Sequence, residues 1–149
     1  MADSVTTSSL YRRIMRTNHL DNFLERNKGN LKEEDFCRQL NRLCAERDMV
    51  PEQVILRSQI ERSYGHQLFN GTRRPSRDKV IQLAFGLGLN VEEAQDLMQA
   101  AGKNALNPRS RRDVAIIFCL KTHMSVMETQ EILESHGIPL LGAGKKSDE

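Results

Sequence analysis

The stretch "SQIERSYGHQLFNGTRRPS", residues 58–76, decides how this chain reads. It is helical in pattern up to Asn70, stops at Gly71 in the manner of a glycine C-cap, and then turns basic. Gly65 lies inside that helix, where glycine costs about 1 kcal/mol relative to alanine. The position therefore asks for a reason other than helix propensity.

Working outward, Pro51 suits the first position of a preceding helix that runs to about Ser58. A turn around Gln59 and Ile60 joins it to the helix 62–70. Ser76 caps the next helix, whose inner face carries Val80, Ile81, Leu83, Ala84 and Leu87. Upstream, Phe36, Leu40, Leu43 and Cys44 form a helical stripe, and Asn30 with Glu33 resembles a capping box. Leu10, Ile14, Leu20, Phe23 and Leu24 suggest one or two short amphipathic helices. Residues 1–8 and the tail "GAGKKSDE" are polar and expected to be disordered. No segment alternates with period two for long enough to suggest a sheet, so the expected class is all-α.

The chain also repeats itself. Residues 77–106 lie over 112–141 without a gap, at an offset of 35. Arg77/Arg112, Asp78/Asp113, Ile81/Ile116, Val91/Val126, Glu93/Glu128, Gln95/Gln130, Gly102/Gly137 and Leu106/Leu141 are identical. Each copy reads as a helix, a turn, an N-cap (Asn90 or Ser125) with glutamate three residues on, a second helix and a terminal glycine. Two copies are too few for a solenoid, so the second reads as a hairpin packed on the first. Its helix "DVAIIFCLKTHM" is apolar nearly all round and calls for a second cover, either the N-terminal helices or another subunit.

A chain of 149 residues can bury a real core. It has no run of eighteen apolar residues and no apolar stretch at its N-terminus, which predicts a cytoplasmic protein without a membrane partner. Cys37 and Cys44 lie seven residues apart on one helix, roughly 10 Å by helical rise, too far for a disulfide. Net charge is only +2, but it is unevenly spread. Arg57, Arg62, Arg73, Arg74, Arg77 and Lys79 face only Glu61 and Asp78 between residues 57 and 79, leaving 16 cations against 18 anions elsewhere.

The segment "VILRSQIERSYGHQLFNGTRRPSRDKVIQLAFGLGLN" resembles the helix-turn-helix of the lambda-repressor/Cro (XRE) family. The order is a helix, a short turn, a recognition helix, glycine, a basic loop, Pro75-Ser76 and a helix ending at Leu87-Gly88. With the helices at about 35–48 and 91–101, the likeness covers about 70 residues, the family's five-helix core. The resemblance implies a DNA-binding transcriptional regulator, bacterial or phage-borne, dimeric, and nucleoid-associated when bound. It implies base contacts from Arg62, Ser63 and Gln67, with Tyr64 and His66 flanking. Arginine can donate two bonds to guanine, and glutamine can pair with adenine. Phosphate contacts would come from Arg57, Arg73, Arg74, Ser76 and Arg77. Where the family places a small residue in the first helix and a branched one in the recognition helix, this chain has Ile55 and Gly65, so the bulk has changed sides. Gln59 stands where the family prefers glycine, in a left-handed turn.

Enzymatic patterns fail. "GLGLN" (86–90) lacks a third glycine and a preceding strand, and no GxxxxGK[ST] occurs. His19, His66, His123 and His136 lie in no ligand-like cluster, so no metal, cofactor or catalytic site is expected. The expected organisation is an N-terminal arm (1–30), a DNA-binding core (31–106), a C-terminal hairpin for dimerisation (107–141) and a tail (142–149). The alternative is the same fold used as a protein-interaction module, adaptor or antitoxin-like.

Overall fold

A computed structural model describes residues 6–28 and 35–142. Among these residues the chain forms nine helices and no strand. They divide into two units, up to residue 33 and from residue 34 onward.

The first unit holds α1 (Thr7–Arg16) and α2 (Leu20–Arg26). α1 starts inside the stretch expected to be disordered, because Thr6 Oγ1 accepts from the Ser9 amide at 3.0 Å and caps it. At 100° per residue, Leu10, Tyr11, Ile14 and Met15 share one arc, with Arg12, Arg13 and Arg16 opposite. Neither helix contains a buried residue. Within the unit, Arg13 Nη1 of α1 donates to Asn27 Oδ1 at the end of α2 at 2.6 Å.

The second unit holds α3 (Phe36–Glu46), α4 (Pro51–Arg57), α5 (Arg62–Asn70), α6 (Arg77–Leu87), α7 (Val91–Ala100), α8 (Arg111–Lys121) and α9 (Val126–Ser135). Asn30 and Glu33 lie outside the described residues; α3 is capped by Asp35, whose carboxylate accepts from the Arg38 amide. α6 is the central element. Every residue from Val80 to Leu87 is buried, and α6 packs against α4, α7 and α9. α3 closes the core over α4, α5 and α7 with Phe36, Leu40, Leu43 and Cys44.

The two hairpins α6–α7 and α8–α9 are joined by a reciprocal clasp that involves four of the eight identities at offset 35, Arg77/Arg112, Asp78/Asp113, Gln95/Gln130 and Leu106/Leu141. Arg77 forks onto Asp113, Nη1 to Oδ1 at 3.2 Å and Nη2 to Oδ2 at 2.9 Å. Arg112 forks onto Asp78 in the same way, at 3.0 and 2.9 Å. Each arginine also donates to two carbonyls at the end of its own hairpin, Asn104 and Ala105 for Arg77, Pro139 and Leu140 for Arg112. Each aspartate accepts one more amide from the opposite hairpin's C-terminal segment, Asn107 to Asp113 and Gly142 to Asp78, both at 2.9 Å. Gln95 brackets Leu106 through its amide and carbonyl, as Gln130 brackets Leu141. Each of these bonds from one copy has its counterpart from the other, the relation of a twofold axis. The second hairpin is thus an equal partner of the first. Gly142, expected in a disordered tail, belongs to the fold.

α8 is less apolar in use than in composition. Ile116, Cys119 and Leu120 are buried, Ala115 and Ile117 half-buried, while Val114 and Phe118 stay 47% and 48% exposed.

Candidate functional site

The face that carries the sequence-expected residues is built on α4, the turn after it, and α5. α4 begins at Pro51, with the Val50 amide donating to Gln53 Oε1 at 3.0 Å. The turn passes through Gln59 at φ +58°, a left-handed residue without glycine's freedom. Two carbonyls of this turn, Ser58 and Gln59, accept from Gln82 Nε2 of α6 at 3.0 and 3.3 Å. Behind it, Ser58 Oγ donates to Val54 O at 2.6 Å and lies against Gly86, where an added Cβ would collide with that hydroxyl. The turn is therefore pinned to the central helix from two directions.

Gly65 sits at the crossing of α5 with α4. A Cβ there would lie 2.6 Å from both Cγ1 and Cγ2 of Ile55 and 2.9 Å from Cδ1. Ile55 is 2% exposed. The glycine inside the helix is where the isoleucine is seated, as the exchange of bulk between the two positions implies.

α5 is capped by Glu61, whose carboxylate accepts from the amides of Ser63 and Tyr64 at 3.0 and 2.9 Å. Those amide bonds, the Ser63 bond foremost, hold its carboxyl below the usual glutamate range. Gly65, Leu68 and Phe69 face inward. The opposite arc carries Ser63, His66, Gln67 and Asn70, with Arg62 at its edge on the first turn, each exposed or half-buried.

These side chains are held in place by neighbours. Glu52 of α4 receives Arg62 Nε at 2.8 Å on one oxygen and meets His66 Nε2 at 2.7 Å on the other. The bond from Arg62, then that from His66, lowers the Glu52 pKa. Gln67 Oε1 accepts from Arg73 Nε at 2.8 Å. The Arg73 guanidinium lies over the Tyr64 ring, 4.5 Å from its centroid, with Lys79 Nζ at 5.6 Å from the same centroid. Asn70 Oδ1 accepts from both the amide and the hydroxyl of Thr72.

Of the residues expected at phosphates, Arg57 and Arg74 are exposed, and Ser76 caps α6 by accepting from the Lys79 amide. Arg73 lies across α5 itself through Gln67 and Tyr64. Arg77 faces the clasp, where its Nε donates to Asn104 O and its Nη atoms to Asp113 and Ala105. The sequence reading passed over Glu52, Gln82 and Gly86. Glu52 has no motif to mark it, and only the helix crossing brings it beside Arg62 and His66.

Among the described residues no group of three His, Cys, Asp or Glu side chains could hold a metal ion. Burial pushes the thiols of Cys44 and Cys119 upward, away from a reactive thiolate. No helix among the described residues is long and apolar enough to cross a membrane. Comparisons with family models, with curated proteins and with solved structures find no match to this chain.

Proposed function

We propose that this protein is a sequence-specific DNA-binding regulator of the helix-turn-helix type, with α5 as its recognition helix. The observation that carries this reading is the outward arc of α5. It offers Ser63, His66 and Gln67, with exposed Arg62 at its edge on the first turn, on a helix whose other side is anchored by Gly65, Leu68 and Phe69. A recognition helix needs that combination, base-reading donors outside and a fixed crossing angle inside. Arg57 and Arg74, both exposed, and the amides around Ser76 would supply the phosphate contacts that set register. The protein acts as a dimer on two half-sites, since one helix contacts too few base pairs for high specificity.

The test is selection from a random duplex pool, followed by binding at several salt concentrations. Arg62→Ala should relax base preference and cost about 1–3 kcal/mol at the cognate base. Arg74→Ala should weaken all sequences alike and reduce the log–log salt slope by roughly 0.9 per phosphate lost. Failure of the wild-type protein to enrich any sequence would overturn the reading and favour the protein-interaction alternative.

A further inference from the structure

We propose that Glu52 and Arg73 set the hydrogen-bond polarity of the reading edge, so that this protein selects half-sites with guanine opposite both Arg62 and Gln67. The inference rests on the DNA-reading proposal and adds the class of sequence read.

Arginine has donors only. With Nε of Arg62 on Glu52 at 2.8 Å, its orientation is fixed through that one nitrogen. The two Nη groups remain for a partner outside, and their fork matches the N7 and O6 acceptors of guanine. Glu52 is thus a positioning residue, acting on DNA through Arg62.

Gln67 is the more informative case. Because arginine can only donate, the Gln67 atom facing Arg73 Nε must be the carbonyl oxygen. Glutamine reads adenine by accepting from its amino group while donating to N7. Here the accepting oxygen already carries a guanidinium. Its second lone pair remains, but an adenine amino group reaching it would approach the edge of a cation. The Nε2 donors stay unopposed. Arg73 is itself held, its guanidinium stacked on Tyr64, and Lys79 adds a second positive charge to the same ring. The field at this position favours bases that present acceptors, and guanine presents two side by side in the major groove. Adenine presents one beside a donor. Ser63 lies between Arg62 and Gln67, and its hydroxyl gives or accepts, so no base is assigned to it.

This assignment separates Arg73 from an ordinary phosphate ligand. Removing a phosphate contact weakens every sequence equally. Removing the group that occupies the Gln67 oxygen changes which base is preferred.

The experiment is parallel selection from one random duplex pool with the wild-type protein, Arg73→Ala, Glu52→Gln and Gln67→Ala, after thermal unfolding shows that each variant folds. Gln67→Ala locates the base pair that this side chain reads. The wild type should enrich guanine there and at the Arg62 position. Arg73→Ala should move the preference at the Gln67 position from guanine toward adenine by about 5- to 150-fold, leaving the Arg62 position as it was. Glu52→Gln should broaden the Arg62 position, and any position read by His66, which shares the same carboxylate, while leaving the Gln67 position as it was. Adenine at the Gln67 position in the wild-type selection would overturn the inference while leaving DNA reading intact. So would an Arg73→Ala protein weakened on all sequences with its preference unchanged. If the wild type enriches nothing, the DNA-reading proposal itself falls.

Discussion

Replacing Gly65 by alanine tests the α4–α5 crossing with a single carbon. On helix propensity alone the change should stabilise by about 0.8–1 kcal/mol. The added Cβ would meet three carbons of Ile55 at 2.6, 2.6 and 2.9 Å. Carbon pairs are at rest near 3.5–4.0 Å, so each contact is roughly 1 Å too close. Ile55 is buried, so it cannot swing into solvent. Either it leaves its rotamer or the two helices part, and overpacking of this kind costs typically 1–3 kcal/mol. Packing should win, giving a net loss of up to about 2 kcal/mol. The full cycle is sharper. Gly65→Ile should add to that overlap, and Ile55→Ala should cost about 2–5 kcal/mol by leaving a cavity. Gly65→Ile combined with Ile55→Ala moves the bulk to the other helix at similar total volume. The double variant should therefore recover at least about 2 kcal/mol over the sum of the singles. Urea denaturation of the four proteins measures this. A Gly65→Ala protein stabilised by the whole propensity term, or a cycle additive within about 0.5 kcal/mol, would mean that the two side chains do not meet.

The clasp should be equally sensitive at its two ends. Asp78→Ala and Asp113→Ala each strand a largely buried arginine and an amide, and each should cost about 3–5 kcal/mol in urea denaturation. A loss below about 1 kcal/mol at either site would refute the clasp's role. Gln59→Gly should stabilise by roughly 0.5–1 kcal/mol, as relief of a left-handed residue outweighs glycine's greater freedom in the unfolded chain; a lower melting temperature would count against strain at this turn. The carboxyls of Glu52 and Glu61 are held below their unfolded values, so their bonds contribute fully above the ordinary glutamate range. That contribution is lost as pH falls through the lowered folded values. Carboxyl resonances followed by NMR should show both titrating after the exposed glutamates, and a normal midpoint for either would remove its bonds from the account.

How far the chain was legible depended on whether the signal was local. Helix ends were: Ser76, Asn90 and Ser125 each accept from the third residue of the helix they begin. The repeat was visible as identities, yet identity alone does not say that Arg77 of one copy meets Asp113 of the other. That pairing arises only when α6–α7 and α8–α9 lie across each other. The pairing of Arg77 was hidden for the same reason, since an arginine in a basic run looks alike whether it faces solvent or a buried aspartate. Gln82 and Gly86 read as one polar and one small residue on an apolar helix. Their purpose, holding the Ser58–Gln59 turn, depends on α4 crossing α6. The orientation of Gln67 was likewise beyond the sequence, because it is set by Arg73, six residues further on and across a loop.

The reciprocal clasp has a consequence for how this molecule responds to dilution. Two identical hairpins bonded in this way from separate chains would part as their concentration fell. Here residues 101–110 join them, so each always meets the other at the high effective concentration of a short tether. The pairing is a matter of folding alone, and no change in the amount of protein can loosen it. The surface that each hairpin would offer to a copy of itself is already spent within the chain. Outside that surface, α8 leaves Val114 and Phe118 exposed.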